Sequence, residues 1–470
     1  MTHEEIIQGR SESLQLGPAA ARWIVAGLLL AVVGLGAACA LGLPDSHARK
    51  LLDFMLGGVN WSMPDPHARK LFFLAYLVAF VYFLSITLGA LFFVMLQHLS
   101  RAGWSVSVRR LAEALSGNIA LMALLFVPLL FGLGDIYEWS HRETVAADPV
   151  LAGKAGYLNP SAFAARFALY FLIWGFLAWY LRSRSIRQDA SGDVSLTRRM
   201  ERLSAPGMLL FSFTVTFAAF DLLMSLNPHW FSTMMGVYFF TECFLSFLVV
   251  LTLLALLLQR SGRLRSEITV EHYHDLGKLT FAIVFFWGYI AFSQYMLIWY
   301  ANMPEETQFF IPRQIGPWAA VSLALVACHL LIPFLGLLSR AAKRRLGVFA
   351  FWAVWLLAAQ LLDLYWLVMP NLYVSEIPAA VGAAPGTPLP RVLKELVASN
   401  QSIYQVAARH ADFMEAVRLP LGGGALAVTF GLLLGMGGLY LASTAWLLRG
   451  AALLPIRDPR LKQSLSFENT

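Results

Sequence analysis

Apolar runs of roughly 18–25 residues recur along the whole chain, each long enough to cross the ~30 Å hydrocarbon core of a bilayer as a helix. Ten are read, at about 23–42, 71–97, 112–133, 161–181, 206–226, 230–258, 276–301, 315–338, 347–369 and 421–447. A transmembrane barrel would give short alternating segments instead. The expected fold is therefore an all-α polytopic membrane protein. Composition agrees, since 58% of the 470 residues are hydrophobic and only 13% are charged. Glu4, Glu5 and Glu12 stand where a leader peptide would be basic, so the first span is expected to be retained.

Lysine and arginine set the expected orientation. About two-thirds of them fall on the side bearing the N-terminus, the loops after even-numbered spans and the C-terminus. Arg182/Arg184/Arg187, Arg198/Arg199/Arg202 and Lys343/Arg344/Arg345 all belong to that side. Both termini are thus expected in the cytoplasm. The net charge of +7 is mostly this topological signal, and no nucleic-acid partner is expected.

Cys39, Cys243 and Cys328 sit inside apolar spans without a pairing pattern. No C-x-x-C-H motif for c-type haem and no iron–sulfur spacing occurs. Of ten histidines, only His329 lies well inside a span, with His98 at a cytoplasmic end. A facing pair for b-type haem is therefore lacking, and no metal is expected.

Two segments carry an aspartate seven residues before a proline: Asp221 to Pro228 in "FDLLMSLNP", and Asp363 to Pro370 in "DLYWLVMP". They close spans 5 and 9, four crossings apart, so both point to the outer side. Spans 2 and 6 end in Leu96-Gln97-His98 and Leu258-Gln259-Arg260. Spans 4 and 8 end at Arg182 and Arg340, and spans 3 and 7 in the aromatic-acidic mouths "GDIYEW" and "MLIWYANMPEE". The order suggests two four-helix bundles, spans 2–5 and 6–9, related by an axis along the membrane normal, with spans 1 and 10 peripheral. The chain divides into 1–70 (N-terminus, first span, outer loop), 71–229 (first bundle), 230–370 (second bundle), 371–420 (outer loop) and 421–470 (last span and tail). The outer segment 43–69 holds a direct repeat, Pro44–Leu51 echoed by Pro64–Leu71, and a helix-like stretch is expected near 391–417. Gly431-x-x-x-Gly435 offers a small-residue packing face.

An ionised carboxylate in hydrocarbon costs several kcal/mol, so the buried acids need an account. At ~1.5 Å per residue, Asp221 and Asp363 lie roughly 7–10 Å inside the outer boundary and Glu242 about 18 Å inside. His329 is at least as deep. Gln294 and Tyr295 occupy the outer third of span 7, while Asp135 and Glu138 close span 3 at the outer mouth. This distribution fits a proton half-channel from the outer surface to mid-membrane. Its candidates are Asp221, Glu242, Asp363, His329, Asp135, Glu138, Gln294, Tyr295 and His98. The alternative is structural: the aspartates accept hydrogen bonds from tryptophan or tyrosine or brace the helix ends, and His98 anchors an interface. A quinol site, with a carboxylate or histidine taking each proton, and a secondary transporter are the other readings. No basic residue is read deep in a span to pair with a transported anion.

The segments "ITLGALFFVMLQHLSRAGWSVSVRRLAEALS" (86–116), "LLFGLGDIYEW" (129–139) and "FSQYMLIWYANMPEET" (292–307) closely resemble one family. It is the second of the two large NrfD/polysulfide-reductase-like membrane subunits, the ActF type, of alternative complex III, a bacterial quinol:cytochrome c oxidoreductase. The resemblance spans essentially the whole chain. It implies the ten-helix, two-bundle fold and a place in the bacterial inner membrane. The implied partners are a second NrfD-like subunit, a periplasmic iron–sulfur subunit, multihaem and monohaem cytochrome c subunits, small membrane subunits and lipids. Haem c and iron–sulfur clusters would then belong to the partners, leaving quinone or quinol as the one cofactor open to this chain. The quinol-binding sibling carries a histidine in a glycine-rich motif of its second helix. Here Ser85-Ile-Thr-Leu-Gly-Ala90 has no titratable group. The resemblance thus implies a scaffold and proton-conducting role, with a quinol site in the first bundle as the alternative.

Overall fold

A computed structural model describes residues 14–42, 66–374, 377, 389–398 and 423–469. Among these the chain is all-helical, and ten helices are long and apolar enough to cross a membrane. They are α1 (Pro18–Gly42), α2 (Pro66–Leu99), α3 (Val106–Phe131, with a break near Gly117), α4 (Pro160–Ser191) and α5 (Ser195–Leu222). They continue as α6 (Met235–Arg260), α7 (Val270–Ala301), α8 (Pro317–Leu337), α9 (Leu346–Val368) and α10 (Gly423–Arg449).

The helices outrun the apolar segments that predict them. Arg182, Arg184 and Arg187 lie on the last turns of α4, and Arg198, Arg199 and Arg202 on the first turns of α5. Polar residues continue a helix past the bilayer at no hydrogen-bonding cost, so hydropathy locates the span and not the helix end. The stop is local chemistry. Gly192 takes a left-handed conformation (φ 69°), and the Asp193 carboxylate accepts from the Ser195 amide at 2.8 Å. The first copy of the outer direct repeat lies outside the described residues. The second contributes its His-Ala-Arg-Lys to the first turn of α2. Of the helix expected near 391–417, Leu389–Ala398 is described and helical, and the remainder lies outside the described residues.

Two helices form the centre. Almost every side chain of α2 from Phe73 to Met95 is buried, as is most of α6. Helix α2 packs on α3, α5, α6, α9 and α10; helix α6 packs on α2, α5, α7 and α9. Contacts of α3 with α4 and α4 with α5 close one quartet, and those of α7 with α8 and α8 with α9 close the other. Gly89 permits the central approach, since a Cβ there would come within 1.9 Å of the Cys243 carbonyl oxygen. Outward faces remain apolar, as at Leu172, Phe213 and Leu323, which suits contact with lipid or other helices.

The small-residue face of α10 meets α1. A Cβ on Gly34 would approach the Gly435 nitrogen to 2.3 Å, and one on Gly438 would approach the Gly27 carbonyl oxygen to 2.4 Å. Such close backbones gain dispersion contacts that larger residues would prevent. The segment following α10 runs across the basic ends of the helices. Leu453 N–H donates to Leu14 O (2.8 Å), Ser464 joins Ser107 (2.8 Å) and His272 (3.1 Å), and Asp458 pairs with Arg109. Replacing Gly34 by Leu is expected to cost about 1–3 kcal/mol through overpacking and to lower the thermal midpoint in detergent. Gly36 has open space around its would-be Cβ, so Gly36→Leu should leave the midpoint unchanged.

Candidate functional site

The two matched aspartates are both fully buried, yet their surroundings differ. Asp221 on α5 is held by Arg166 on α4 in a two-pronged pair, Nη2 to Oδ1 at 2.8 Å and Nε to Oδ2 at 3.0 Å. Tyr170 O–H also donates to it at 3.1 Å. Arg166 stands near the start of α4 rather than deep in a span, and Asp221 takes up its guanidinium. One arginine near the helix end adds little to a hydropathy average, and only the packing of α4 on α5 shows what it faces. The rest of this corner braces the end of α5. Ser225 Oγ donates to the Asp221 carbonyl (2.5 Å), Tyr137 O–H to Leu222 O (3.0 Å) and Trp139 Nε1 to Ser225 O (3.2 Å).

Asp363 on α9 has no arginine at its carboxylate. It accepts from Tyr238 O–H on α6 at 2.6 Å and from Trp287 Nε1 on α7 at 3.2 Å. Beside it are Glu242 on α6 and His329 on α8, both fully buried. One carboxylate oxygen from each acid and one ring nitrogen of His329 lie within 4.8 Å of one another. The Glu242 and Asp363 carboxyls stand within side-chain hydrogen-bond reach of each other. Among the described residues no other side chain donates to Glu242, and neither ring nitrogen of His329 has a partner. The His329 Nε2 to Glu242 Oε1 gap is 3.8 Å, beyond hydrogen-bond reach. Below the trio, Gln360 Nε2 donates to Ser85 Oγ (2.9 Å), which lies 3.2 Å from Ser246 Oγ. The Ser85–Ala90 stretch lacks titratable groups but still joins α2 to this polar centre.

Helix α8 explains how His329 faces inward. Pro333 has no N–H to donate to the His329 carbonyl one turn back, so the regular ladder fails there. The backbone answers with a wider π-type turn over Val326–Leu331. Trp355 Nε1 satisfies the Cys328 carbonyl at 2.8 Å. Gly288 on α7 makes room for Leu330 (2.4 Å from its would-be Cβ), while the Trp287 ring meets His329 edge-on with centroids 3.9 Å apart.

A cavity of about 460 Å³ opens beside this centre, among α6–α9 and the segment 309–314. Its wall is mainly aromatic and aliphatic, and it includes Tyr238, Trp287, Gln294 and Tyr295. Gln294 Nε2 has no partner, and Tyr295 Oη accepts from Gln314 at 3.1 Å. The cavity belongs to the second quartet, not to the α2–α5 set in which the sequence reading places the alternative quinol site. Arg313 covers the neighbouring end of α9. It is buried, donates to the carbonyls of Trp366 (3.0 Å) and Leu367 (2.8 Å), and stacks on Phe309.

The remaining sequence candidates lie apart from the trio. Asp135 pairs with Arg69 at 2.7 Å, and Glu138 is exposed. His98 is fully buried at the basic end of α2. At the opposite mouth, His229 Nε2 is 2.5 Å from Asp148 Oδ2. Burial pushes the Asp148 carboxyl up, but hydrogen bonds from His229 and from the Val150 and Leu151 amides outweigh it and hold the group below its usual range.

Three titratable groups this close take up and release protons as a unit. Among the described residues this is the only cluster of three such donors, and its two carboxylates and one imidazole could also hold a divalent cation. Neither a scan of the chain against protein-family models nor a search of curated proteins returns a match. The contrast between the two aspartates is measurable. Arg166→Ala leaves a buried carboxylate unpaired and should cost about 3–5 kcal/mol in denaturation of the detergent-solubilised protein. The double variant Arg166→Ala/Asp221→Asn is expected to recover most of that loss.

Proposed function

We propose that the chain is a proton-handling membrane subunit of a bacterial quinol:cytochrome c oxidoreductase of the alternative complex III type. The observation that carries the proton role is the Glu242–His329–Asp363 cluster: three buried titratable groups within 4.8 Å, with no arginine or lysine among the described residues on the carboxylates and no hydrogen-bond partner at the His329 ring. A scaffold has no use for such a cluster, because each unsatisfied buried polar group costs about 1–3 kcal/mol. A proton-exchange centre needs groups whose protonation can change without breaking the fold. Tyr238 both lines the aromatic cavity and donates to Asp363. It can hand its proton to Asp363 while taking another from the cavity, and Asp363 can exchange with Glu242 and His329. Asp221, held by Arg166 and Tyr170, shares no partner with this cluster and braces the α4–α5 corner.

The assignment to a complex rests on the resemblance of segments 86–116, 129–139 and 292–307. In this reading the chain lies in the bacterial cytoplasmic membrane with both termini cytoplasmic. It joins a second NrfD-like subunit, a periplasmic iron–sulfur subunit, multihaem and monohaem cytochromes c and small membrane subunits. The two quartets are related by a pseudo-repeat of four helices. Packing supports this relation: α5 touches α6 and α9 touches α2, an exchange that shifting every helix by four leaves unchanged.

A second reading is favoured by one observation, the 460 Å³ cavity with aromatic walls beside a carboxylate and a histidine. It would seat a quinone ring in the second bundle. Extraction and chromatography of bound quinone would separate the readings, with Tyr295→Ala losing quinone only if the ring sits there. For the main reading, protein purified from its native membrane should bring haem-c absorbance with it; a transporter would come alone. Glu242→Gln and Asp363→Asn should each lower quinol-coupled proton release by ~10- to 100-fold with assembly intact. Unchanged proton release in both variants would overturn the role of the cluster.

A further inference from the structure

A second cavity, about 430 Å³, lies at the basic end of the bundle between the last turn of α2, the first turns of α5 and the segment after α10. That volume is within the ~300–1,000 Å³ span of small-molecule sites. Arg101, Arg198, Arg202 and Arg460 line it, against one acid, Glu201. Glu201 is engaged twice, by Arg101 Nε at 3.3 Å and by Arg460 Nη2. Arg198 and Arg202 have no ion pair among the described residues, so the wall carries an uncompensated positive charge.

Two orphaned groups mark the cavity as built for a ligand. His98 forms part of its lining and is fully buried, yet neither ring nitrogen has a partner. Arg460 Nη1 is also buried without a partner. Leaving such donors unmet costs about 1–3 kcal/mol each, more when charged. A tetrahedral oxyanion satisfies a guanidinium fork, further arginines and a ring N–H at once, because several oxygens radiate from one centre.

We propose that this cavity binds a phosphate group, with His98 and Arg460 at its floor and Arg198 and Arg202 at its rim. Two sources share that chemistry: the headgroup of an anionic phospholipid and free phosphate. Leu99 and Val194, both exposed, also line the site and would lie along the glycerol and first methylenes of a lipid. Inorganic phosphate would use only the polar floor.

The test uses the full chain, purified in neutral detergent with or without its partners. Its thermal midpoint is followed while phosphatidylglycerol, phosphatidylcholine or inorganic phosphate is added at constant ionic strength. A phosphate site predicts a saturable rise with phosphatidylglycerol, identifying a lipid, or with inorganic phosphate, identifying a free anion; phosphatidylcholine should act more weakly. Arg198→Ala/Arg202→Ala changes only exposed side chains and should weaken the half-saturating concentration by ~10-fold or more, since two charge-assisted bonds are lost. His98→Ala should weaken it as well, and the arginine double variant decides the matter if that protein does not fold. Equal responses to the two lipids with none to phosphate, or an unchanged half-saturation in the double arginine variant, would overturn the site.

Discussion

Where water is absent, a polar group must find its partner inside the protein, and this condition shapes everything else in the molecule. Arg166 and Asp221 meet it fully, with both carboxylate oxygens engaged. Arg109 and Arg110, wholly buried at the basic end of α3, meet it in part, pairing with Asp458, Glu113 and Asp189 while Nε and Nη1 of each lack a hydrogen bond. Ser85, Ser246 and the Gln360 amide nitrogen meet it among three helices at the centre. Against that background the unmet groups stand out. Two sets of them lie at the Glu242–His329 contact and in the His98 cavity. Each adjoins an internal space, and a polar deficit beside a space is what a site for a mobile proton or a ligand requires.

The asymmetry between the two quartets follows from the same condition. Both present an aspartate near the end of the fourth helix. In the first quartet an arginine cancels it, which fixes charge and geometry together. In the second, Tyr238 and Trp287 donate to it without cancelling it, and Arg313 is spent on the carbonyls of Trp366 and Leu367 instead. Neutral donors leave the charge of the cluster free to change. The two quartets thus hold their aspartates differently, and the placement of one arginine separates them.

Much of this was legible in the sequence because hydrocarbon imposes a coarse rule. Ten spans, the burial of Glu242 and His329, and the small-residue face of α10 all follow from run length and residue type. Helix ends were less legible, since Arg182–Arg187 continue α4 beyond its apolar run, where hydropathy carries no information. The partners of the acids were not legible at all. Asp221 and Asp363 look alike along the chain, and only packing tells that one faces Arg166 and the other Tyr238. The inward turn of His329 depends on the widened backbone before Pro333. The proline was visible as an interruption, but its effect on side-chain direction is a matter of three dimensions. Nor could spacing show that the segment around Arg460 folds back over His98.

The pairing of α1 with α10 has a consequence in time. Among the ten described spans α1 comes first and α10 last, yet Gly27 and Gly34 of the one meet Gly438 and Gly435 of the other. Until α10 follows, the notched face of α1 lacks the helix that fills it. The segment after α10 emerges later still, and it brings Asp458 to Arg109 and Ser464 to Ser107 and His272. The segment after α10 therefore acts as a clasp. Until it arrives, the first helix is tethered but unpacked, and one of the most deeply buried arginines has yet to meet its aspartate.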